Sequence, residues 1–272
     1  MRAAFYYLVI FINSNNIHDV YWNAATIILK NIEKISDMNI VEVADMCYVS
    51  TATISRLCRK LNYESFIDFK ADVIRSLEYD RDEDRLLYFD EQIPDINTVN
   101  TLGKEAFKNH FDNIQNTLQS TFDHMDYKKL LQIVDMMQES KRVYFLGNYF
   151  TQSCANQLQI ELSQQGKECF ALYPISQQKE ILKQMKEGDL IIISTIAGSI
   201  FRTNPDIVKM ACRSKAKVIT ISQIIKFEHM DKVDLVFTVG NERNSLVGKF
   251  SITYVYELLE LIYHVKYKNL SK

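Results

Sequence analysis

Along the first 80 positions apolar side chains recur three and four apart, and neither Gly nor Pro interrupts them before Pro94. Val20, Tyr21, Ala24, Ile27, Ile28 and Ile32 trace one helical face over His18 to Ile32. Phe66, Phe69, Val73 and Leu77 do the same over Ser65 to Leu77. Between them lie two shorter amphipathic segments joined by a tight connection. The first buries Ile40, Val43 and Ala44; the second buries Ile54, Leu57 and Leu61, with Val49 filling the space between. Ser50 stands where a helix N-cap is needed. The apolar run from Ala3 to Ile12 is too short to span a bilayer and is not followed by a small-residue cleavage site. It reads as a helix packed on this domain or on a partner subunit, and no transmembrane segment is expected.

After Leu77 the pattern breaks. Glu78 to Arg85 is dense in charge and leads to Pro94, which predicts an interdomain linker over 79–102 between a helical domain (1–78) and a second domain (103–272). Helices are predicted over Glu105 to Phe122 and Tyr127 to Glu139. Short continuous apolar runs follow at Val143 to Leu146, Glu168 to Leu172, Leu190 to Ser194, Lys217 to Ser222 and Leu235 to Val239, the form of strands buried on both faces. Helical stretches at Ser153 to Gln165, Ser176 to Lys186 and Pro205 to Ser214 separate them. Alternation of this kind predicts a doubly wound, flavodoxin-like, five-stranded parallel sheet sandwiched by helices. A strongly apolar helix, Phe250 to Tyr267, closes the chain.

The exposed face of the helix after Ser50 offers Thr51, Thr53, Ser55, Arg56, Arg59 and Lys60, three cations with no acid from Ser50 to Lys60. Short polar side chains at the front and cations along the flank are the layout of a helix-turn-helix. An α-hairpin with a solvated basic face is the plainer alternative. The whole chain carries a formal charge of −2, and residues 1 to 80 hold eight Lys/Arg against ten Asp/Glu. No global basic field announces nucleic acid, so DNA binding must rest on this local patch and on a dimer that doubles it.

The run Val49-Ser-x-Ala-Thr-Ile-Ser-Arg-x-Cys-Arg-Lys-Leu-x-Tyr-x-Ser-Phe66 resembles the N-terminal domain of the RpiR family of bacterial transcriptional regulators. Asn62 departs from the family's usual Gly; Asn tolerates the left-handed cap, so the turn survives. In the second domain, Gly147 after the first strand and Ser194-Thr-Ile-Ala-Gly-Ser199 after the third resemble a sugar isomerase (SIS) domain, which the family carries behind its helix-turn-helix. The two resemblances cover about residues 15 to 265. They imply a dimeric transcription factor that senses a phosphosugar or related carbohydrate derivative and binds double-stranded operator DNA. The implied ligand residues are Gly147, Asn148, Thr151, Ser194, Thr195, Gly198, Ser199 and Glu242.

The loops depart from the family's small-residue pattern. Tyr149 and Phe150 replace small residues, Thr195-Ile-Ala-Gly-Ser-Ile200 keeps one family hydroxyl, and no cation stands nearby beyond Arg202 and Arg243. That leaves two readings open: a pocket altered for a different or less charged ligand, and a degenerate pocket whose domain serves as a dimerisation scaffold. An isomerase is the third, with Glu242 the one plausible base; the helix-turn-helix speaks against it. Cys47, Cys58, Cys154, Cys169 and Cys212 have no metal-ligand spacing and read as reduced residues of a cytoplasmic protein. No cofactor or metal is called for. Leu258, Leu259, Leu261, Ile262 and Val265 make the last helix apolar enough to predict a homodimer, or a dimer of dimers, through this domain.

Overall fold

The computed structural model describes residues 3–81, 95–223, 226–240 and 247–267. The chain divides into two compact units, Met1–Glu91 and Gln92–Lys272.

The first unit is helical: α1 (Ala3–Ser14), α2 (Val20–Lys30), α3 (Ile32–Ile35), α4 (Ile40–Met46), α5 (Thr51–Lys60) and α6 (Phe66–Arg81). Its single core gathers Leu8, Ile28, Ile35, Val43, Ile54, Leu57, Leu61 and Phe69, all fully buried. The apolar first segment is a helix packed on α2 and α6. Ala4, Leu8 and Phe11 face the core, and the Trp22 ring N–H donates to the Ile12 carbonyl at 3.0 Å. Val49 and Ile40 are partly buried against the same core.

In the second unit α7 (Ile96–Leu102), a 3-10 turn (Gly103–Phe107), α8 (Lys108–Asp123) and α9 (Tyr127–Glu139) precede the sheet. The alternation then runs β1 (Arg142–Gly147), α10 (Tyr149–Gln164), β2 (Cys169–Ala171), α11 (Ile175–Leu182), β3 (Asp189–Thr195), α12 (Ser199–Thr203), α13 (Pro205–Arg213), β4 (Lys217–Ser222), β5 (Leu235–Thr238) and α14 (Gly248–Tyr267). All pairings are parallel, in the order β2-β1-β3-β4-β5.

Strand alternation splits the apolar side chains between two cores. Val143, Phe145, Ile192, Ile219 and Ile221 pack under α9, α10 and α14, while Tyr144, Leu146, Ile191, Ile193 and Val218 pack under α11, α12 and α13. Where β1 and β3 begin, the Arg142 guanidinium donates twice to buried Asp189, each bond 2.9 Å.

The structure differs from the sequence-based expectation in four places. The stretch expected as a linker over 79–102 is helical at both ends, because α6 continues to Arg81 and Asp95 caps α7 by accepting from the Asn97 and Thr98 N–H groups. Residues 82–94 lie outside the described part. Helix α10 begins at Tyr149 rather than Ser153, as Asn148 already has the extended backbone of an N-cap. The short helix α12 was not anticipated; left-handed Gly198 starts it. In the last helix Leu259 is fully buried while Leu258 and Ile262 pack on the unit's own core, leaving Leu261 and Val265 exposed. Most of that helix's apolar character is spent inside the fold.

Candidate nucleic-acid interface and ligand crevice

The helix-turn-helix is built from its caps. Asn39 accepts from the Val41 and Glu42 N–H groups while Glu42 accepts from the Asn39 N–H at 2.6 Å, a capping box that starts α4. The chain turns at Cys47 to Ser50, with Tyr48 in the left-handed region (φ 56) and 91% exposed. The Ser50 hydroxyl accepts from the Thr53 N–H at 3.1 Å and starts α5. That helix ends at Asn62, φ 67, where the Tyr63 N–H reaches back to the Cys58 carbonyl at 2.9 Å. Ile54, Leu57 and Cys58 seat α5 in the core, and burial pushes the Cys47 and Cys58 thiols up to about 11 and about 12.

With that face fixed inward, Thr51, Arg56, Arg59 and Lys60 are exposed and Thr53 and Ser55 are half-buried. Among the described residues neither Arg56 nor Arg59 makes a hydrogen bond or an ion pair, whereas the Lys60 ammonium lies 5.0 Å from the centre of the Tyr21 ring. The helix therefore presents two unengaged guanidinium groups, short hydroxyl side chains ahead of them, and a lysine braced by α2. Tyr48 was not singled out from the sequence. Its clue, an aromatic residue where a tight turn needs a positive φ, emerges only when the turn's backbone is known.

The second candidate site lies outside the carboxyl ends of β1 and β3, where strand order reverses and doubly wound sheets form a crevice. A Cβ on Gly147 would sit 2.2 Å from the Thr151 hydroxyl and 2.8 Å from the Ser194 carbonyl, so only glycine fits. Asn148 donates its amide to Ser199 Oγ at 2.8 Å, leaving its Oδ1 buried with no partner among the described residues. Thr195 accepts from the Ile200 N–H at 3.1 Å and meets Ser199 Oγ at 3.3 Å. Gly198 has φ 66 and Ala197 φ 48, so the β3 loop curls back on itself. Asn148, Thr195, Gly198 and Ser199 are thus brought together.

The other expected ligand residues are engaged elsewhere. Thr151 donates to the Asn148 carbonyl at 2.7 Å. Ser194 pairs at 2.8 Å with the Tyr256 hydroxyl, whose burial holds it far above the ordinary tyrosine range and so protonated. Glu242 and Arg243 lie outside the described residues. Phe150 lines a groove of about 270 Å³ between α10 and α14.

Three buried glutamines, unremarked in the sequence, hold the crevice's floor. Gln178 accepts from the Gly147 N–H at 3.1 Å and donates to the Gly147 and Leu172 carbonyls at 2.9 and 2.8 Å. Gln152 donates to the Phe145 and Leu172 carbonyls, and Gln223 accepts from the Ala197 N–H at 2.9 Å. Glutamine reads as a surface residue in any periodicity argument, so no sequence signal marks them. Arg202 donates to the Ala197 carbonyl at 2.6 Å and braces the same loop.

Residues 23–79 match the family described as the helix-turn-helix domain of the rpiR family. An uncharacterized HTH-type transcriptional regulator of Haemophilus influenzae is 22% identical over 241 residues, spanning 88% of this chain and 82% of its own length. A second such regulator, of Clostridium perfringens, is 22% identical over 201 residues, covering 72% of this chain and 67% of its own. Among solved structures, the Vibrio vulnificus NanR protein complexed with ManNAc-6P aligns over 96% of this chain and 93% of its own, at 18% identity and a TM-score of 0.50. A phosphoheptose isomerase from Francisella tularensis aligns over 60% of this chain and 99% of its own, at 15% identity and a TM-score of 0.51. At these identities the two structures speak to the fold alone.

Proposed function

We infer that this chain, whose N-terminal unit is a helix-turn-helix domain of the rpiR family, is a transcription regulator that binds operator DNA as a pair of copies. In this reading its α/β unit adjusts that binding to a small carbohydrate derivative. The observation that carries the reading is α5: a hydroxyl-capped helix held by its apolar face, with Arg56 and Arg59 unengaged and pointing away from the core. Those are the groups that meet phosphate oxygens or guanine edges in a major groove. Ser50, Thr51, Thr53 and Ser55 supply the shorter contacts at the helix front, and Lys60 flanks them.

A regulator is favoured over an enzyme. Isomerisation needs a positioned base: none of the five histidines lies on the loops after β1 or β3, and Glu242, the base the sequence offers, lies outside the described residues. The relatives named above are named as regulators. The ligand reading rests on Asn148, Thr195, Gly198 and Ser199 at the crevice. Asn148 Oδ1 is an acceptor awaiting a donor, which suits a hydroxyl better than a phosphate oxygen.

A second reading also has support. The backbone and hydroxyl groups that would take a phosphate are already satisfied by Gln178, Tyr256 and each other, as in a unit kept only for assembly. Retarded migration of the chain's own upstream DNA in a gel tests the regulator reading; no sequence-selective shift at physiological salt would sink it. Release or tightening of that complex by a carbohydrate library separates the sensor from the scaffold.

A further inference from the structure

Helix α8 carries an apolar stripe that its own unit does not cover. Phe111 and Phe122 of α8 are 64 and 63% exposed, and Phe107, the last residue of the preceding 3-10 turn, is 48% exposed, although large rings in water are costly. With 3.6 residues per turn, Phe111, Leu118 and Phe122 fall within an arc of roughly 40°, and Phe107 stands at the helix's N-cap. The neighbouring arc is the one that faces inward, where Thr121 donates to Ser251 of α14 at 2.7 Å. The stripe's outer flank reads Lys108, Asp112, Gln115, Gln119 and Asp123, all exposed or half-buried. Ile96 and Leu102, the two ends of α7, are exposed as well.

We propose that this stripe is where two copies of the chain meet, α8 lying antiparallel on α8 about a two-fold axis beside Ile114. This rests on the two-copy reading above and names its surface. The sequence of the helix is self-complementary in that arrangement and not in a parallel one. Phe107 comes opposite the partner's Phe122, and Phe111 opposite the partner's Leu118. Along the outer flank Lys108 pairs with Asp112 at 3.3 Å and Gln119 donates to Asp123 at 2.9 Å within one helix, and in the dimer Lys108 comes opposite the partner's Asp123, Asp112 opposite the partner's Gln119, and Gln115 opposite the partner's Gln115. No like charges touch. A parallel pairing would set Lys108 on Lys108, Asp112 on Asp112 and Asp123 on Asp123, which repels at each level. Covering the rings and flanks on both copies removes on the order of 1,000 Å² from water, the lower end of what a specific dimer buries. The surface fits a second copy better than an unrelated partner because both the apolar order and the charge order reverse onto themselves.

The test is light scattering on the full chain across a dilution series, with circular dichroism to confirm folding. Phe111→Ser combined with Phe122→Ser should weaken dimerisation by about tenfold or more while leaving the fold intact, since both rings are exposed. Lys108→Glu and Asp123→Lys should each weaken it by roughly two- to fivefold, and the two together should recover the parent's affinity. A parent dimer whose phenylalanine variants dimerise equally well would overturn this surface and leave the two-copy reading standing. A double charge reversal no better than the single ones would overturn the antiparallel register. A parent that is monomeric while binding operator would overturn both.

Discussion

Arg56 and Arg59 owe their availability to Ile54, Leu57 and Cys58, which point the other way from the same helix. Because neither guanidinium supports the fold, Arg56→Ala should leave thermal unfolding unchanged and weaken operator binding by about 1–3 kcal/mol. Parent-like operator affinity for that variant in a filter-binding titration would mean α5 does not read DNA. Gln178 is the opposite case. It is fully buried, and its carboxamide serves both backbone groups of Gly147 and the carbonyl of Leu172. Gln178→Ala strands those groups and leaves a void, at a cost of about 2–4 kcal/mol visible as a lower urea midpoint. Gln178→Glu should cost a similar amount, because an ionised carboxylate cannot donate to the two carbonyls. The Cys47 and Cys58 thiols, raised to about 11 and about 12 by burial, are almost wholly protonated at neutral pH. They should react with alkylating reagents no faster than the chain unfolds, a rate that iodoacetamide labelling followed by mass spectrometry measures.

At the scale of elements, helix ends decide where the functional groups stand. Ser50 sets the first turn of α5 and so the positions of Thr51 and Thr53; Ser50→Ala should lose about 1 kcal/mol of stability and, with a frayed helix front, some operator affinity. Asn62 closes the same helix in the left-handed region (φ 67). Asn62→Gly should be neutral or slightly stabilising and Asn62→Ala should cost about 1 kcal/mol, a pair that thermal melts followed by circular dichroism would order. Ser50, Asn62 and the five strands were legible in the sequence because each is a local signal: a capping side chain, a tolerated positive φ, a continuous apolar run. Helices α7 and α12 were missed for the same reason reversed. Their apolar residues are few, and they depend on Asp95 and on left-handed Gly198 rather than on periodicity. The capping box at Asn39 and Glu42 is local too, written as Asn-x-x-Glu ahead of an apolar run.

At the scale of the whole molecule, the two units set a division of labour: a helical unit with a cationic helix, and an α/β unit with a crevice. The crevice as folded is short of donors. The Gly147 N–H is taken by Gln178, the Thr151 and Ser194 hydroxyls are engaged, and Asn148 offers an acceptor. Glucose 6-phosphate, fructose 6-phosphate and N-acetylglucosamine 6-phosphate should therefore bind no more tightly than about a millimolar, worth about 4 kcal/mol. Calorimetry decides this: micromolar binding of any of them, abolished by Thr195→Ala, would show that the loops open their donors to a phosphate after all.

From the sequence alone came the order of the strands and of the longer helices, the five-stranded doubly wound class and the inward and outward faces of α5, since periodicity and capping act over a few residues and need no partner. Tertiary structure decided what those residues were free to do. Ser194 and Thr151 looked like ligand hydroxyls until Tyr256, brought from the last helix, and the Asn148 carbonyl claimed them. Leu259 looked like surface until the fold covered it. A side chain's chemistry is written in its own codon, but whether its hydrogen bonds or its apolar area are already satisfied depends on neighbours that only folding supplies.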